Sequence, residues 1–263
     1  MIFLVLAIEY LMSFVLLLPL KDDRGRYSSF PYMTFGLILT NTLIHAVLYL
    51  LLPLLSVDIQ ALVALMRQMM VRPVDVINGE GLGALSMITS AFMHADWMHL
   101  ASNMFFLYFF GRKLEDVLGP TKFCLFYLTC VFVSSTASVI GNMTLPVTQG
   151  LIPSLGASGA VMGVVAAYLF LYQDQRIRTL VMIFGFIPIP FTMRMPAWVF
   201  ILYTVIGDFT RGWLEQQFQE HGYIYSFIGT FAHLGGLMAG LTCLYFFLPR
   251  ELLYFRHRSS AAR

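Results

Sequence analysis

Residues 156–172, GASGAVMGVVAAYLFLY, form an apolar run headed by a single hydroxyl. Ser158 has Gly156, Ala157, Gly159 and Ala160 as its neighbours, so a second helix or an extended peptide backbone can approach it closely. As a helix, residues 157–172 rise ~24 Å, short of the ~30 Å hydrocarbon core of a bilayer. Taken alone, the stretch reads as readily as a small-residue packing motif as it does as the seat of a nucleophile. The rest of the chain has to separate the two.

Of 263 residues, 59% are hydrophobic and 11% charged, against roughly 25% charged in a soluble domain. That excess of apolar surface requires lipid as the solvent for much of the chain. Apolar segments at 31–54 (ended by Pro53), 92–111, 122–140, 157–172, 195–212 and 226–248 give an all-α polytopic membrane protein with six transmembrane helices. Residues 1–20, MIFLVLAIEYLMSFVLLLPL, are long enough for an extra N-terminal membrane segment, with Glu9 in its middle. They lack the basic n-region and A-x-A-like end of a cleaved signal peptide. Residues 21–250 then form one membrane domain, and 251–263 a basic cytoplasmic tail. Residues 57–70 have the pattern of an amphipathic helix lying at the interface. Residues 179–193 are apolar but interrupted by Pro188 and Pro190, which suggests a cytoplasmic loop touching the membrane. Cys124, Cys130 and Cys243 fall in apolar runs without CxxC spacing and read as small buried hydrophobes, with no disulfide framework and no metal site. A net charge of +2 without a basic–aromatic patch points away from nucleic acid.

Orientation follows from the Lys/Arg bias. With residues 21–27 cytoplasmic and six alternating spans, 13 of 16 Lys and Arg residues collect on the cytoplasmic side, leaving Arg67, Arg72 and Arg211. Both ends of the six-span core are then cytoplasmic.

Polar groups at membrane depth are expensive and call for a reason. The second span carries His94, His99 and Asn103; His99 and Asn103 are spaced i, i+4 and share a helix face. Ser158 heads the fourth span, and His233 lies in the sixth. All three spans run outside to inside. With His99 about seven residues into its span, and His233 similarly placed, both sit roughly 10 Å below the outer surface. Gly159-x3-Gly163 and Gly236-x3-Gly240 are patterns that let helix backbones approach closely. Close packing of the fourth and sixth helices would put Ser158 within reach of His233, the requirement for a base-activated nucleophile. His99 and Asn103 would supply donors to a developing oxyanion. Interhelical hydrogen bonding explains any one of these groups alone, but less easily their convergence at one depth.

The stretch Phe92-Met-His94-Ala-Asp-Trp-Met-His99-Leu-Ala-Ser-Asn103, followed by Phe110-Gly111 and Leu114-Glu115-Asp116-x2-Leu118-Gly119, resembles the second-helix signature of the rhomboid intramembrane serine proteases. Gly156-x-Ser158-Gly159 is similar to their nucleophile motif, and Ala232-His233-x2-Gly236-x3-Gly240 to their histidine helix. Pro19-Leu20-Lys21-Asp22-Asp23 resembles the corresponding stretch of bacterial members, so the likeness covers about residues 19–250. It implies a six-helix bundle with a Ser158–His233 dyad and an oxyanion site of His99, Asn103 and the Ser158 backbone N–H. It also implies His94 near the active-site mouth and a capping loop over 213–226. Transmembrane protein substrates cut near their outer ends, a bacterial cytoplasmic membrane and no cofactor or metal follow as well. Met162 stands where many relatives carry an aromatic residue that orients the histidine. The Trp-Arg pair common in the first outer loop is absent. A catalytically silent relative that binds transmembrane clients is the first rival. A small transporter is the second, but the inverted repeats or charged broken helices it predicts are not seen in the sequence.

Overall fold

The computed structural model describes residues 15–23, 29–144, 153–184, 188–219 and 229–247. The chain divides into two units, Met1–Arg26 with Leu169–Thr230, and Tyr27–Tyr168 with Phe231–Arg263.

In the second of these units, α1 (Tyr32–Leu54) buries Leu37, Asn41, His45 and Leu48 along one face and turns Leu39, Leu43, Leu50 and Leu54 outward. The first N–H groups of a helix have no partner within it. Here Glu115 meets them: its carboxylate accepts the Met33 and Thr34 amides at 2.8 and 2.7 Å and the Thr34 hydroxyl at 2.7 Å. Glu115 is buried, and its charge also suits the positive end of the α1 dipole.

Asp58 caps α2 (Ile59–Met69) by accepting the Ala61 N–H at 2.9 Å. This helix packs Leu62 against Leu48 and Met93 and exposes Ile59, Val63 and Leu65, the two-faced pattern of an interfacial helix. Two short helices follow, α3 (Pro73–Asn78) and α4 (Gly83–Phe92). Next comes α5, which runs from Trp97–Phe106 through a π-helical turn, Leu107–Gly111, into Arg112–Leu118. The helix thus begins after residue 92 and ends beyond Gly111, because Asp96 supplies an N-cap and Arg112–Leu118 stays helical. After Gly119, α6 (Pro120–Met143) is the longest helix described, and α7 (Ser158–Tyr172) follows. Among the described residues, α1 and α6 are long and apolar enough to cross a membrane. Only 22% and 44% of their most apolar windows are buried by protein, so the remaining surface needs an apolar solvent.

The other unit holds an antiparallel sheet of order β1-β2-β3, made of β1 (Val15–Asp22), β2 (Arg176–Ile183) and β3 (Ile189–Pro196). β1 pairs Val15 with Ile183 and Leu18 with Leu180, and its register shifts between Pro19 and Lys21. β2 and β3 pair from Arg176↔Pro196 to Ile183↔Ile189. From β3 the chain enters α8 (Ala197–Gln219), whose Tyr203 hydroxyl donates to the Val15 carbonyl at 2.6 Å. The last helix, α9 (Thr230–Thr242), returns to the larger unit and ends in a π turn, Cys243–Phe247.

Two expectations are corrected here. The N-terminal membrane segment expected over 1–20 is not one helix: Val15–Asp22 is extended and paired, while residues 1–14 lie outside the described residues. The loop expected over 179–193 is largely a hairpin. Pro190 fits because β3 is an edge strand, where a missing N–H costs least. Each of the six apolar segments contains a helix. The capping loop expected over 213–226 is helical in its first half, because α8 runs on to Gln219, and residues 220–226 lie outside the described residues.

Candidate active site

Ser158 is the first residue of α7 and His233 the fourth of α9, and His233 Nε2 lies 2.7 Å from Ser158 Oγ. Nothing local makes this contact, since 75 residues separate the two. The packing of α7 on α9 makes it. A Cβ on Gly236 would land on the Gly159 backbone, 2.7 Å from its carbonyl carbon. One on Gly240 would lie 2.8 Å from the Gly163 Cα, and one on Gly163 would lie 2.9 Å from the Gly236 carbonyl oxygen. α6 backs the pair: a Cβ on Gly159 would meet the Ser134 side chain at 2.6 Å, and one on Gly163 the Cys130 Sγ at 2.6 Å. Any side chain at these points would hold the helices apart.

The approach to Ser158 is tethered from both sides. The Ser154 N–H donates to the Val71 carbonyl at 2.7 Å, the Val71 N–H returns a bond at 3.0 Å, and the Gly156 N–H donates to the Ser90 carbonyl at 2.9 Å. Gly156 has φ +118°, and a Cβ there would lie 2.9–3.0 Å from the His99 ring and 3.7 Å from Ser158 Oγ. Sequence reading groups Gly156 with the helix-packing glycines. It lies ahead of α7 instead, and its missing side chain makes room for His99 beside the serine.

His99 is the third residue of α5, not the seventh of a span. Ser158, His99 and His233 therefore share a level because each stands in the first turn of its helix. The His99 N–H donates to the Asp96 carboxylate at 2.8 Å. That bond is the main reason the Asp96 carboxyl, in the loop ahead of α5, is held below its usual range. The Ala95 N–H meets His99 Nδ1 at 3.4 Å, which leaves the ring proton to Nε2 on the side facing Gly156. Asn103 is buried one turn on and gives one amide hydrogen to the His99 carbonyl at 2.9 Å, so its second is left for other use. Met162 is half-buried one turn below Ser158 on α7. His94 lies in the loop before α5, fully buried, its ring centroid 5.2 Å from that of His99. Burial pushes its imidazole down to about 3, and the nearby His99 and His45 rings act in the same direction.

His45 is the functional-looking residue that the sequence reading passed over. It is buried on α1, edge-on to Trp97 at 4.5 Å and stacked on Tyr49 at 4.3 Å, with the His94 ring 6.4 Å away. Asn41, four residues earlier, shares its face, and this i, i+4 polar pair inside an apolar span was the available signal. Among the described residues no protein group meets Asn41 Oδ1 or either ring nitrogen of His45 and His94; the Phe92 backbone nears His94 outside hydrogen-bond geometry. Also among the described residues, no group of three or more His, Cys, Asp or Glu side chains is placed to hold a metal ion.

Apolar helices with a hydroxyl–imidazole pair at the head of two closely packed members define a class, that of integral membrane proteins carrying a serine–histidine site. The Rhomboid domain model matches residues 83–250, and the chain belongs to the Rhomboid family. The chain is 31% identical over 156 residues to the human presenilin-associated rhomboid-like protein, mitochondrial, which is 59% of this chain and 36% of that protein. It is 32% identical over 160 residues to rhomboid protein 1, mitochondrial, of Saccharomyces cerevisiae, covering 60% and 40%. It is 42% identical over 79 residues to rhomboid-like protein 11, chloroplastic, of Arabidopsis thaliana, covering 30% and 26%. The matched region thus spans two fifths or less of these relatives. Their names place them in mitochondria and chloroplasts, so they lend no support to the bacterial membrane expected above.

Proposed function

We propose that this chain is an intramembrane serine endopeptidase that hydrolyses peptide bonds in or near transmembrane segments of membrane proteins. The observation that carries the reading is the 2.7 Å contact between Ser158 Oγ and His233 Nε2. In the proposed reaction Ser158 attacks the scissile carbonyl while His233 takes its proton and then gives it to the departing amine. The oxyanion forms beside the start of α7, where the Ser158 N–H is unclaimed by its own helix and the helix dipole favours negative charge. His99 Nε2–H and the second Asn103 amide hydrogen are the side-chain donors. Gly156 gives His99 room beside the serine, and Met162 takes the place of an aromatic contact in steadying His233. His94 lines the mouth. The six helices form one bundle in this reading, oriented by the Lys/Arg bias so that the dyad opens toward the outer face.

The test is covalent. A fluorophosphonate probe should label wild-type protein in proteoliposomes and leave Ser158→Ala unlabelled, and His233→Ala should abolish both labelling and cleavage of a model transmembrane substrate. Cleavage by Ser158→Ala would overturn the mechanism. A folded wild type that neither labels nor cleaves would instead fit a rhomboid-like protein that binds transmembrane clients without cutting them.

A further inference from the structure

The three-stranded sheet carries an arrangement that its own stability does not explain. Its pairing puts Lys21 opposite Arg178, and Arg178 opposite Arg194, so three cations stand in one row across β1, β2 and β3. Directly paired residues share a sheet face, with Cβ atoms ~5 Å apart, and like charges so placed are destabilising. All three are exposed, and Arg176 stands two residues further along the same face of β2. Asp23 reaches Arg194 at 3.8 Å, an exposed contact of little weight. Such a row persists where something anionic repays it.

The rest of that face says what the anion is attached to. Moving along the strands from the cations, the next row is Leu18, Leu180 and Thr192, and the one after it Leu16, Met182 and Pro190. Leu16 and Pro190 are exposed, and Leu18, Leu180 and Met182 are half-buried. The opposite face of β2 is the covered one, with Ile177, Thr179 and Val181 buried. One sheet face therefore grades from apolar to cationic over two row steps, ~14 Å at the ~3.4 Å rise of an antiparallel strand. A free phosphate or nucleotide would have no use for the apolar rows. A phospholipid offers both parts, a phosphate for the cations and acyl chain for the leucines.

We propose that this sheet face is a binding site for anionic phospholipid: Lys21, Arg178 and Arg194 take the headgroup phosphates, and the Leu16–Leu18–Leu180–Met182 end rests against the acyl boundary. Guanidinium groups suit this role because they bind phosphate in a fork. On this account the hairpin between α7 and α8 is a membrane-surface element whose strand pairing depends on the lipid beneath it.

The experiment needs no catalysis. Purified full-length protein in neutral detergent is titrated with phosphatidylglycerol, phosphatidylcholine or inorganic phosphate, and bound lipid and thermal midpoint are read together. Wild type should retain phosphatidylglycerol in preference to phosphatidylcholine and be stabilised by it, with inorganic phosphate ineffective. At about fivefold per basic residue near an anionic surface, the double variant Arg178→Gln/Arg194→Gln should lose that preference by roughly 25-fold. In neutral detergent alone, the same variant should melt higher than wild type, because the like-charge row is gone. Leu16→Ser should weaken lipid retention with the charges intact. Equal retention of the two lipids by wild type would overturn the proposal, as would an unchanged preference in the double variant. Stabilisation by inorganic phosphate to the same extent would replace lipid with a free anion and overturn it equally.

Discussion

Gly236→Ala is the sharpest probe of how the dyad is held. The new Cβ would start 2.7 Å from the Gly159 carbonyl carbon and closer still to its oxygen. Backbone cannot rotate out of the way, so regaining ordinary contact near 3.4 Å drives α9 from α7 by more than the roughly 0.7 Å that the carbon alone demands, because the oxygen is closer. His233 rides on α9 one turn away, and Ser158 begins α7. A 2.7 Å Ser158 Oγ–H···Nε2 His233 bond lengthened by that amount lies beyond the ~3.2 Å reach of a nucleophile–base pair. Misplacement of a catalytic group by 1 Å costs about 10²-fold, so turnover should fall by roughly 30- to 100-fold, with ~1–3 kcal/mol lost in stability to overpacking. Gly163→Ala is the graded companion. Its Cβ would be 2.9 Å from the Gly236 oxygen and 2.6 Å from Cys130 Sγ, and adding Cys130→Ala should restore part of the loss. The assay is the initial rate of cleavage of a transmembrane substrate in proteoliposomes, with thermal unfolding measured beside it. Wild-type turnover and melting in Gly236→Ala would refute the backbone-to-backbone packing on which the dyad depends.

Three further outcomes follow from the same geometry. Asn103→Ala should slow cleavage by about 10²-fold if its free amide hydrogen serves the oxyanion, with substrate affinity little changed; an unaltered rate removes it from that role. Glu115→Ala leaves two α1 amides and the Thr34 hydroxyl without their acceptor and should cost ~2–4 kcal/mol in denaturation in mixed micelles; a loss below ~0.5 kcal/mol would mean water caps the helix equally well. Stability should fall on acidification because of His94. Its folded-state pKa, about 3, lies below the 6.5 of an ordinary imidazole, so the unfolded chain takes up a proton between those values that the folded one refuses. From pH 7.5 to 5.5 the loss should be ~1.4 kcal/mol, and His94→Phe should flatten that part of the unfolding profile.

Ser158, His233, His99 and Asn103 were legible because each breaks an otherwise apolar run, and polar groups at that depth are costly. The two glycine patterns were legible for a related reason, since close helix approach leaves a four-residue signature. The starting point of α5 was misjudged from hydropathy, although Asp96 is a good N-cap. The sheet was hidden for a different reason. β1 and β2 pair across some 160 residues, and no local pattern announces a partner so distant. The alternation in Arg-Ile-Arg-Thr-Leu-Val at 176–181 was present, but Pro188 and Pro190 next to it argued for a loop. His45 was missed because one histidine in a long apolar helix reads as an isolated exception until His94 and Trp97 are seen beside it.

The tethers ahead of Ser158 have a consequence for how this family of sites can drift. Val71 and Ser90 hold Ser154 and Gly156 by backbone bonds, so the height of the serine is set by the segment between α1 and α5 more than by its own helix. Side-chain substitutions in that segment leave the tethers intact, while a single inserted or deleted residue shifts both. Such changes would raise or lower the serine against the fixed ring of His233. The region that looks most like a variable surface connection is therefore the gauge that sets the height of Ser158 against its histidine.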